Sequence, residues 1–115
     1  MGGRGRVAAR VNRGEIWFYA FGSPDKRRPV LILSRQRAIP LLRTVIVAPI
    51  TSSVRGAPSE VAVGIDEGLK HPSVVNLDHV QTVEQQKLQS FIGTVRSEKM
   101  AAVCTALGIA TGCDG

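Results

Sequence analysis

The sequence predicts a mostly β fold with helices, of the α+β class, in one domain of 115 residues. Three observations support this prediction. The chain holds about five to seven short runs of β-branched and apolar residues, it lacks any alternation of strand with helix, and it ends in a single amphipathic helical pattern. We therefore expect a small, mostly antiparallel sheet or barrel with a C-terminal helix.

The two ends of the chain differ from the middle. Residues 1–12 are rich in glycine and arginine and have no hydrophobic period, which predicts a basic flexible arm. We expect the folded domain over residues 13–110 and a flexible tail over residues 111–115. The arm has no apolar region typical of a secretory signal, and no apolar run approaches the ~20 residues of a membrane span. A cytoplasmic protein without a membrane partner is expected.

The first half of the domain contains three predicted strands. Residues 15–21 hold four of the five aromatic residues and are apolar on both alternating faces, so both faces should be covered. Residues 29–33 form the second strand, and a polar link over 34–42 has room for one helical turn. The third strand spans residues 44–50 and contains Pro49, which must sit at an edge, bulge or strand end because it cannot donate to a ladder.

The second half alternates more weakly. Strands are expected over residues 60–65 and 90–95, and residues 73–83 are expected to be extended. Thr82 has capping-box spacing to Gln85, which predicts a turn of helix before the last strand.

A helical pattern closes the domain. It begins at Ser97, and its apolar residues recur at spacings of three and four until Gly108, the predicted stop. Cys104 and Cys113 lack the spacing of a metal or redox motif, so both are expected to be small, mostly buried hydrophobes.

The net charge predicts a negatively charged partner. Fifteen Lys and Arg against nine Asp and Glu give +6, with an isoelectric point near 10.2. The motifs of serine hydrolases, P-loop NTPases and dinucleotide-binding folds are absent from the sequence. His71 and His79 have no acidic cluster around them, so neither a metal nor a cofactor is expected and neither histidine is assigned a role.

Candidate chemistry lies at the predicted strand ends. Arg28 precedes a proline, which favours an extended backbone and presents its guanidinium, with that of Arg27, at the mouth of the second strand. Thr51, Ser52 and Ser53 form a hydroxyl cluster that can donate to phosphate oxygens. By pattern alone, a solvated strand-end cation is the favoured interpretation of Arg28, and a turn former that of Thr51.

A second polar pair follows later in the chain. Asn76 and Asp78 share one face of an extended segment. An acid beside an arginine can serve as a general base, but the same residue can be a structural ion-pair partner.

Taken together, these segments resemble the MazF/PemK/Kid toxins of bacterial toxin–antitoxin pairs. Residues 13–17, 28–32 and 47–52 resemble the first three strands of the family, in order and with compatible gaps. Residues 78–84 fall where the family has an Asp-Gln-x-Arg-Thr segment, and residues 91–93 precede a helix as in the family. The resemblance covers residues 13–109.

The resemblance implies a fold, an activity and partners. The fold would be an SH3-like barrel with helices, assembled as a homodimer. The activity would be sequence-specific, metal-independent endoribonuclease cleavage of single-stranded RNA, which inhibits translation and growth. Attack by the 2′-hydroxyl would leave 2′,3′-cyclic phosphate and 5′-hydroxyl ends. The partner would be a MazE-like antitoxin with an acidic disordered tail.

The resemblance also assigns residues. Arg28 and Thr51 match the catalytic arginine and threonine of the family, and Asp78 matches an acid with a base role in some members. Asn76 and Gln81 stand where family members have arginines, so RNA contacts there are expected to differ. The predicted RNA-binding residues are Arg27, Ser52, Ser53, Asn76 and Gln81.

Two other functions stay open at this point. One is a gyrase-poisoning toxin of the same barrel, although its C-terminal tryptophan is missing here. The other is a passive basic barrel that binds RNA without cutting it.

Overall fold

The computed structural model describes residues 11–22 and 26–114. The predicted arm up to residue 10, loop residues 23–25 and the last residue of the predicted tail lie outside the described residues. Within the described ranges, the strands are β1 Glu15–Ala20, β2 Arg27–Ile32, β3 Thr44–Thr51, β4 Glu60–Val63, β5 Ser73–Asn76, β6 Gln81–Glu84 and β7 Leu88–Thr94. Short 3-10 helices span Ile39–Leu41, Ile65–Glu67, Leu77–His79 and Gln85–Lys87, and the α-helix α1 spans Ser97–Thr111.

The strands form one antiparallel sheet in the order β4-β5-β3-β2-β1-β7, and β6 also pairs with β3. The predicted α+β fold, a mostly antiparallel sheet with a C-terminal helix, is confirmed. β3 is central because it pairs with β2 along one side and changes partner along the other, from β6 up to Val47 to β5 from Ile50 onward. Pro49 lies at this change of partner, where a residue without an N–H is tolerated.

β1 separates two hydrophobic clusters. Ile16 is fully buried in one cluster, and its neighbour Trp17 is buried in the other, because successive strand residues point to opposite faces. This confirms that the first strand is covered on both sides. α1 contributes Val103 and Ala106 to the Ile16 cluster. Val11 is 1% exposed in the Trp17 cluster, so the folded chain includes this residue of the predicted arm.

Two glycines bring the segment after β4 against β7. A Cβ at Gly93 would lie 2.0 Å from the Glu67 carbonyl oxygen. A Cβ at Gly68 would lie 2.6 Å from the Ile92 carbonyl oxygen, and Gly68 has φ +92°, in the left-handed region. This close backbone contact joins the two ends of the strand order.

The stretch predicted as extended over residues 73–83 is two strands with a 3-10 helix between them. The cause is a local side-chain cap: the Asp78 N–H donates to Asn76 Oδ1 at 3.0 Å and diverts the backbone from the ladder. The predicted turn of helix before the last strand is present as Gln85–Lys87, but it does not begin at Thr82, which pairs with Ile46 inside β6. The turn begins at Gln85, whose side chain is buried.

α1 continues past the predicted stop at Gly108 and ends at Thr111. Gly112 (φ +75°) donates its N–H to the Ile109 carbonyl at 3.2 Å, and the Cys113 N–H donates to the Gly108 carbonyl at 2.7 Å. These two bonds form a Schellman motif, so the glycine that ends the helix is Gly112 and not Gly108. None of the helices in the described part of the chain has the length and apolar character that crossing a bilayer requires.

The prediction that both cysteines are mostly buried is wrong, because Cys104 and Cys113 are exposed. The buried side of α1 is narrow: Val103 and Ala106 are its buried residues, and Cys104 lies off that stripe. Arg13 Nη2 donates to Cys104 Sγ at 3.3 Å across the surface.

We predict that Gly93→Ala strongly destabilises the fold. The new methyl group would overlap the Glu67 carbonyl oxygen, as the 2.0 Å approach shows, and we expect a loss of more than ~3 kcal/mol in the free energy of unfolding. Urea unfolding followed by circular dichroism measures it. Gly108→Ala is the matched control: its Cβ would meet nothing closer than 3.9 Å, and alanine should stabilise the helix by up to ~1 kcal/mol. Equal effects of the two variants would contradict the prediction.

Candidate nucleic-acid interface

A cleft of about 440 Å³ opens where β2 begins and β3 ends. The segment that joins β4 to β5 forms its third wall. Its volume lies within the range of ligand-binding clefts, ~300–1,000 Å³. The lining residues with polar side chains are Arg27, Arg28, Thr51, Ser52, Ser53, Lys70, His71 and Ser73.

Strand register brings Arg28 and Thr51 together. β2 and β3 pair antiparallel, with Val30 opposite Pro49. The paired register ends there; Arg28 lies two residues before Val30, near the beginning of β2, and Thr51 lies two residues after Pro49, at the end of β3. Opposed residues on antiparallel strands project from the same face, and both side chains line the cleft.

The hydroxyl of Thr51 is oriented by its own loop. The Ser53 N–H donates to Thr51 Oγ1 at 3.1 Å. A hydroxyl that accepts one hydrogen bond still has its O–H to donate. The local turn therefore fixes the position of the Thr51 oxygen and leaves its hydrogen available to a ligand in the cleft.

Arg27 lies against an aromatic ring. Its guanidinium carbon is 4.5 Å from the centroid of the Phe18 ring, a cation–π geometry. Phe18 is half-buried and lines the cleft beside Arg27. The contact holds one cation of the cleft in place and gives the cleft an aromatic surface.

Lys70 and His71 enter the cleft from the segment between β4 and β5, and neither was expected there. The sequence around them has no period and no motif that marks a site. One signal was available: His71 directly precedes Pro72, as Arg28 directly precedes Pro29. A proline restricts the preceding residue to extended conformations, so both side chains stand on stiffened backbone.

A buried ion pair anchors this segment. Lys99 Nζ of α1 lies 2.8 Å from Glu67 Oε2, and the Gly64 N–H donates to Glu67 Oε1 at 2.7 Å. Burial raises the pKa of Glu67, but hydrogen bonds from Lys99 and Gly64 and the charge of Lys99 outweigh it, so the pKa lies below its ordinary value. Glu67 therefore stays ionised and ties the segment to the helix.

Three predicted site residues do not line the cleft. Asp78 is the middle residue of the 3-10 helix Leu77–His79 and accepts a hydrogen bond of 2.5 Å from the hydroxyl of buried Ser59. Asn76 caps that 3-10 helix, and Gln81 begins β6 opposite Val47. The structure thus brings together the predicted residues Arg27, Arg28, Thr51, Ser52 and Ser53, and leaves Asn76, Asp78 and Gln81 outside the cleft.

The charged side chains that line the cleft are all positive. Arg27, Arg28 and Lys70 are cations, and no carboxylate occurs among the described residues that line it. Across the described ranges, no three His, Cys, Asp or Glu side chains cluster as metal ligands do. Guanidinium forks, an ammonium group and hydroxyl donors in one cleft are the groups that bind phosphate oxygens.

The fold and this cleft define a small basic protein with a cleft lined by cations and hydroxyls. Residues 12–111 match the model of the PemK-like, MazF-like toxins of type II toxin–antitoxin systems, and the chain belongs to this family. A protein of Mycobacterium tuberculosis named probable endoribonuclease MazF5 is 43% identical over 109 residues, which cover 93% of this chain and 98% of that relative. Endoribonuclease MazF3 of the same organism is 45% identical, covering 73% and 82% of the two chains.

Solved structures of MazF toxins and related endoribonucleases share the fold of this chain. Mycobacterium tuberculosis toxin MazF-mt6 superposes with a TM-score of 0.80 at 40% identity, covering 88% of this chain and 99% of that chain. A mycobacterial endoribonuclease in complex with its cognate antitoxin gives a TM-score of 0.80 at 27% identity, covering 89% and 95%. The similarity to a MazF-like toxin predicted from the sequence is confirmed.

The ion pair of Glu67 predicts a pH-dependent stability. Because the pKa of Glu67 is lowered from 4.5, its ionisation stabilises the fold fully above that pH, and this contribution is lost as the pH falls through the folded-state value. Urea unfolding should therefore show a larger difference between wild type and Glu67→Gln near pH 7 than near ~pH 3.

A matched pair of lysine variants isolates the partner. Lys99→Met leaves the Glu67 carboxylate buried without its cation and should cost about 1–3 kcal/mol at neutral pH. Lys87→Met removes an exposed 4.0 Å pair with Glu84 and should cost less than ~0.5 kcal/mol. A pH-independent effect of Glu67→Gln, or equal losses from both lysine variants, would contradict this account.

Proposed function

We propose that this toxin-family endoribonuclease binds and cuts single-stranded RNA in the cleft, with Arg28 and Thr51 stabilising the transition state. The observation that carries the proposal is that Arg28, at the beginning of β2, and Thr51, at the end of β3, line the same cleft of cations and hydroxyls. The relatives named endoribonucleases cover 93% and 73% of this chain and support RNA cleavage over gyrase poisoning or passive RNA binding.

The proposed reaction begins with the substrate's own 2′-hydroxyl. This oxygen is tethered next to the phosphorus, so its attack needs positioning and charge stabilisation. Negative charge builds on the non-bridging phosphate oxygens as the new bond forms. The Arg28 guanidinium offers two parallel donors to these oxygens, and the Thr51 O–H offers a third. The P–O5′ bond then breaks and leaves a 2′,3′-cyclic phosphate and a 5′-hydroxyl.

The remaining cleft residues are proposed to hold the RNA backbone. Arg27 and Lys70 offer charge to neighbouring phosphates, and Ser52 and Ser53 are exposed hydroxyl donors beside Thr51. Binding that depends on phosphate contacts weakens steeply with salt. RNA contacts at Asn76 and Gln81, and a base role for Asp78, stay predictions of the sequence.

Partners follow from the family. A relative has been solved with its cognate antitoxin, which supports a MazE-like antitoxin with an acidic, disordered tail as the partner of this basic chain.

A homodimer is also proposed. The exposed apolar side chains of Leu41, Leu42 and Ile46, on and just before β3, suit such an interface. The proposed RNA substrate puts the activity in the cytoplasm.

Replacing Arg28 or Thr51 by alanine tests the catalytic pair. Both residues lie at strand ends, so the fold should persist, whereas cleavage should fall by about a hundredfold or more with the loss of transition-state donors. Single-turnover cleavage of a labelled RNA measures the rate. Arg37→Ala, an exposed arginine outside the cleft, is the control for lost positive charge and should stay within ~twofold of wild type. Near wild-type cleavage by folded Arg28→Ala protein would refute the assignment.

A single 2′-deoxynucleotide on the 5′ side of the scissile phosphate tests the nucleophile. Without the 2′-hydroxyl there is no attacking oxygen, so cleavage should stop while binding changes little, because phosphate contacts remain. The products of the all-RNA strand should carry cyclic phosphate and 5′-hydroxyl ends, and EDTA should leave the rate unchanged. Cleavage of the deoxy-substituted strand, or 5′-phosphate ends, would show that water attacks instead.

A further inference from the structure

The proposed reaction requires a proton acceptor that Arg28 and Thr51 do not supply. The 2′-hydroxyl must lose its proton as it bonds to phosphorus, and an arginine side chain carries its proton throughout the working range of pH. This inference rests on the proposed function and concerns which residue of the cleft takes that proton.

His71 is the cleft residue with the required chemistry. The other titratable lining residues among those described are Arg27, Arg28 and Lys70, which are donors with no lone pair to offer while charged. Imidazole is the side chain that both accepts and releases a proton near neutral pH. The Asp78 carboxylate, which the sequence favours as base, does not line the cleft, and one of its oxygens is already bonded to the Ser59 hydroxyl at 2.5 Å.

The backbone holds His71 in place from both sides. On one side, Gly68 packs against the Ile92 carbonyl of β7, and Glu67 is tied to α1 through Lys99. On the other side, Ser73 pairs with Val63, and its hydroxyl donates to the His71 carbonyl at 3.0 Å. With Pro72 restricting its backbone as well, the main chain of His71 is held on both sides, and its exposed side chain lines the cleft.

We propose that His71 is the general base of RNA cleavage. Its unprotonated imidazole nitrogen takes the proton of the 2′-hydroxyl as the 2′-oxygen bonds to phosphorus. The bond between phosphorus and the 5′-oxygen breaks, and the departing oxygen takes a proton from solvent water. The imidazolium returns its proton to solvent, so the enzyme is regenerated with no other reactant.

The test compares the two histidines of the chain. Single-turnover cleavage is measured between about pH 5 and pH 8 for wild type, His71→Ala, His71→Gln and His79→Ala. In wild type the rate should rise with pH at the acid side and level off, because the neutral imidazole is the active form. His79 is exposed and lies outside the cleft lining, so His79→Ala should keep the wild-type rate and profile.

Both His71 variants should lose about a hundredfold or more in rate, and the acid-side rise should disappear with the imidazole. Added free imidazole should restore part of the rate of His71→Ala, which a purely structural role would not allow. Far-ultraviolet circular dichroism and thermal unfolding establish that each variant is folded. If His71→Ala misfolds, His71→Gln with its polar side chain of similar size carries the comparison.

Two results would overturn the inference. One is cleavage by folded His71 variants within ~threefold of wild type. The other is a large loss that keeps the acid-side rise and does not respond to imidazole, since this indicates positioning alone. A failure of the proposed function itself is distinguishable, because the wild type would then not cleave RNA, or Arg28→Ala and Thr51→Ala would cleave at the wild-type rate.

Discussion

The contact of Gly68 with Gly93 is the constraint on which the site depends. It seats the segment after β4 against β7 with backbone on backbone, at a distance that no side chain larger than hydrogen permits. The two ends of the strand order meet through this contact. The residues that follow Gly68 therefore lie in the cleft where β2 begins and β3 ends. Together with the ion pair of Glu67 and the pairing of Ser73 in β5, it fixes where Lys70 and His71 lie relative to Arg28 and Thr51.

β3 provides the second half of the arrangement. One edge of this strand pairs first with β6, up to Val47, and then with β5, from Ile50 onward. β3 therefore links β6 and β5 to the rest of the sheet. Thr51 is its last residue, and the turn that follows uses the Thr51 oxygen as an acceptor for the Ser53 N–H. The donor hydroxyl is thus placed by a strand held on both sides, while the turn sets its orientation. A site built in this way needs little rearrangement when a phosphate arrives.

The strand-end part of the site was predictable from the sequence, because its signals are local. Arg28 before a proline and Thr51 after a β-branched run mark strand ends regardless of what lies across from them. Lys70 and His71 were not predictable in this way, because a contact between distant glycines brings them to the cleft. The same limit applies to Asp78, whose environment is set by Ser59, 19 residues away.

The fold was also predictable only in part. Hydrophobic patterning predicted the first three strands and the terminal helix, since these depend on which faces are apolar. The 3-10 helix that follows β5 depends on the cap at Asn76, and the end of α1 depends on the cap at Gly112. Caps compete with the continuing pattern by only about 1 kcal/mol, so patterning alone does not locate them.

The one-sided charge of the cleft couples anion binding to the folding equilibrium. In the folded protein, three cations share one concave surface without a carboxylate among the described lining residues. An anion that binds there meets these cations together in the folded chain alone, because the unfolded chain spreads the same charges apart. The folded protein therefore gains stability from its own ligands by mass action. Simple oxyanions such as phosphate and sulfate should share this effect with nucleic acid and compete with it for the same surface.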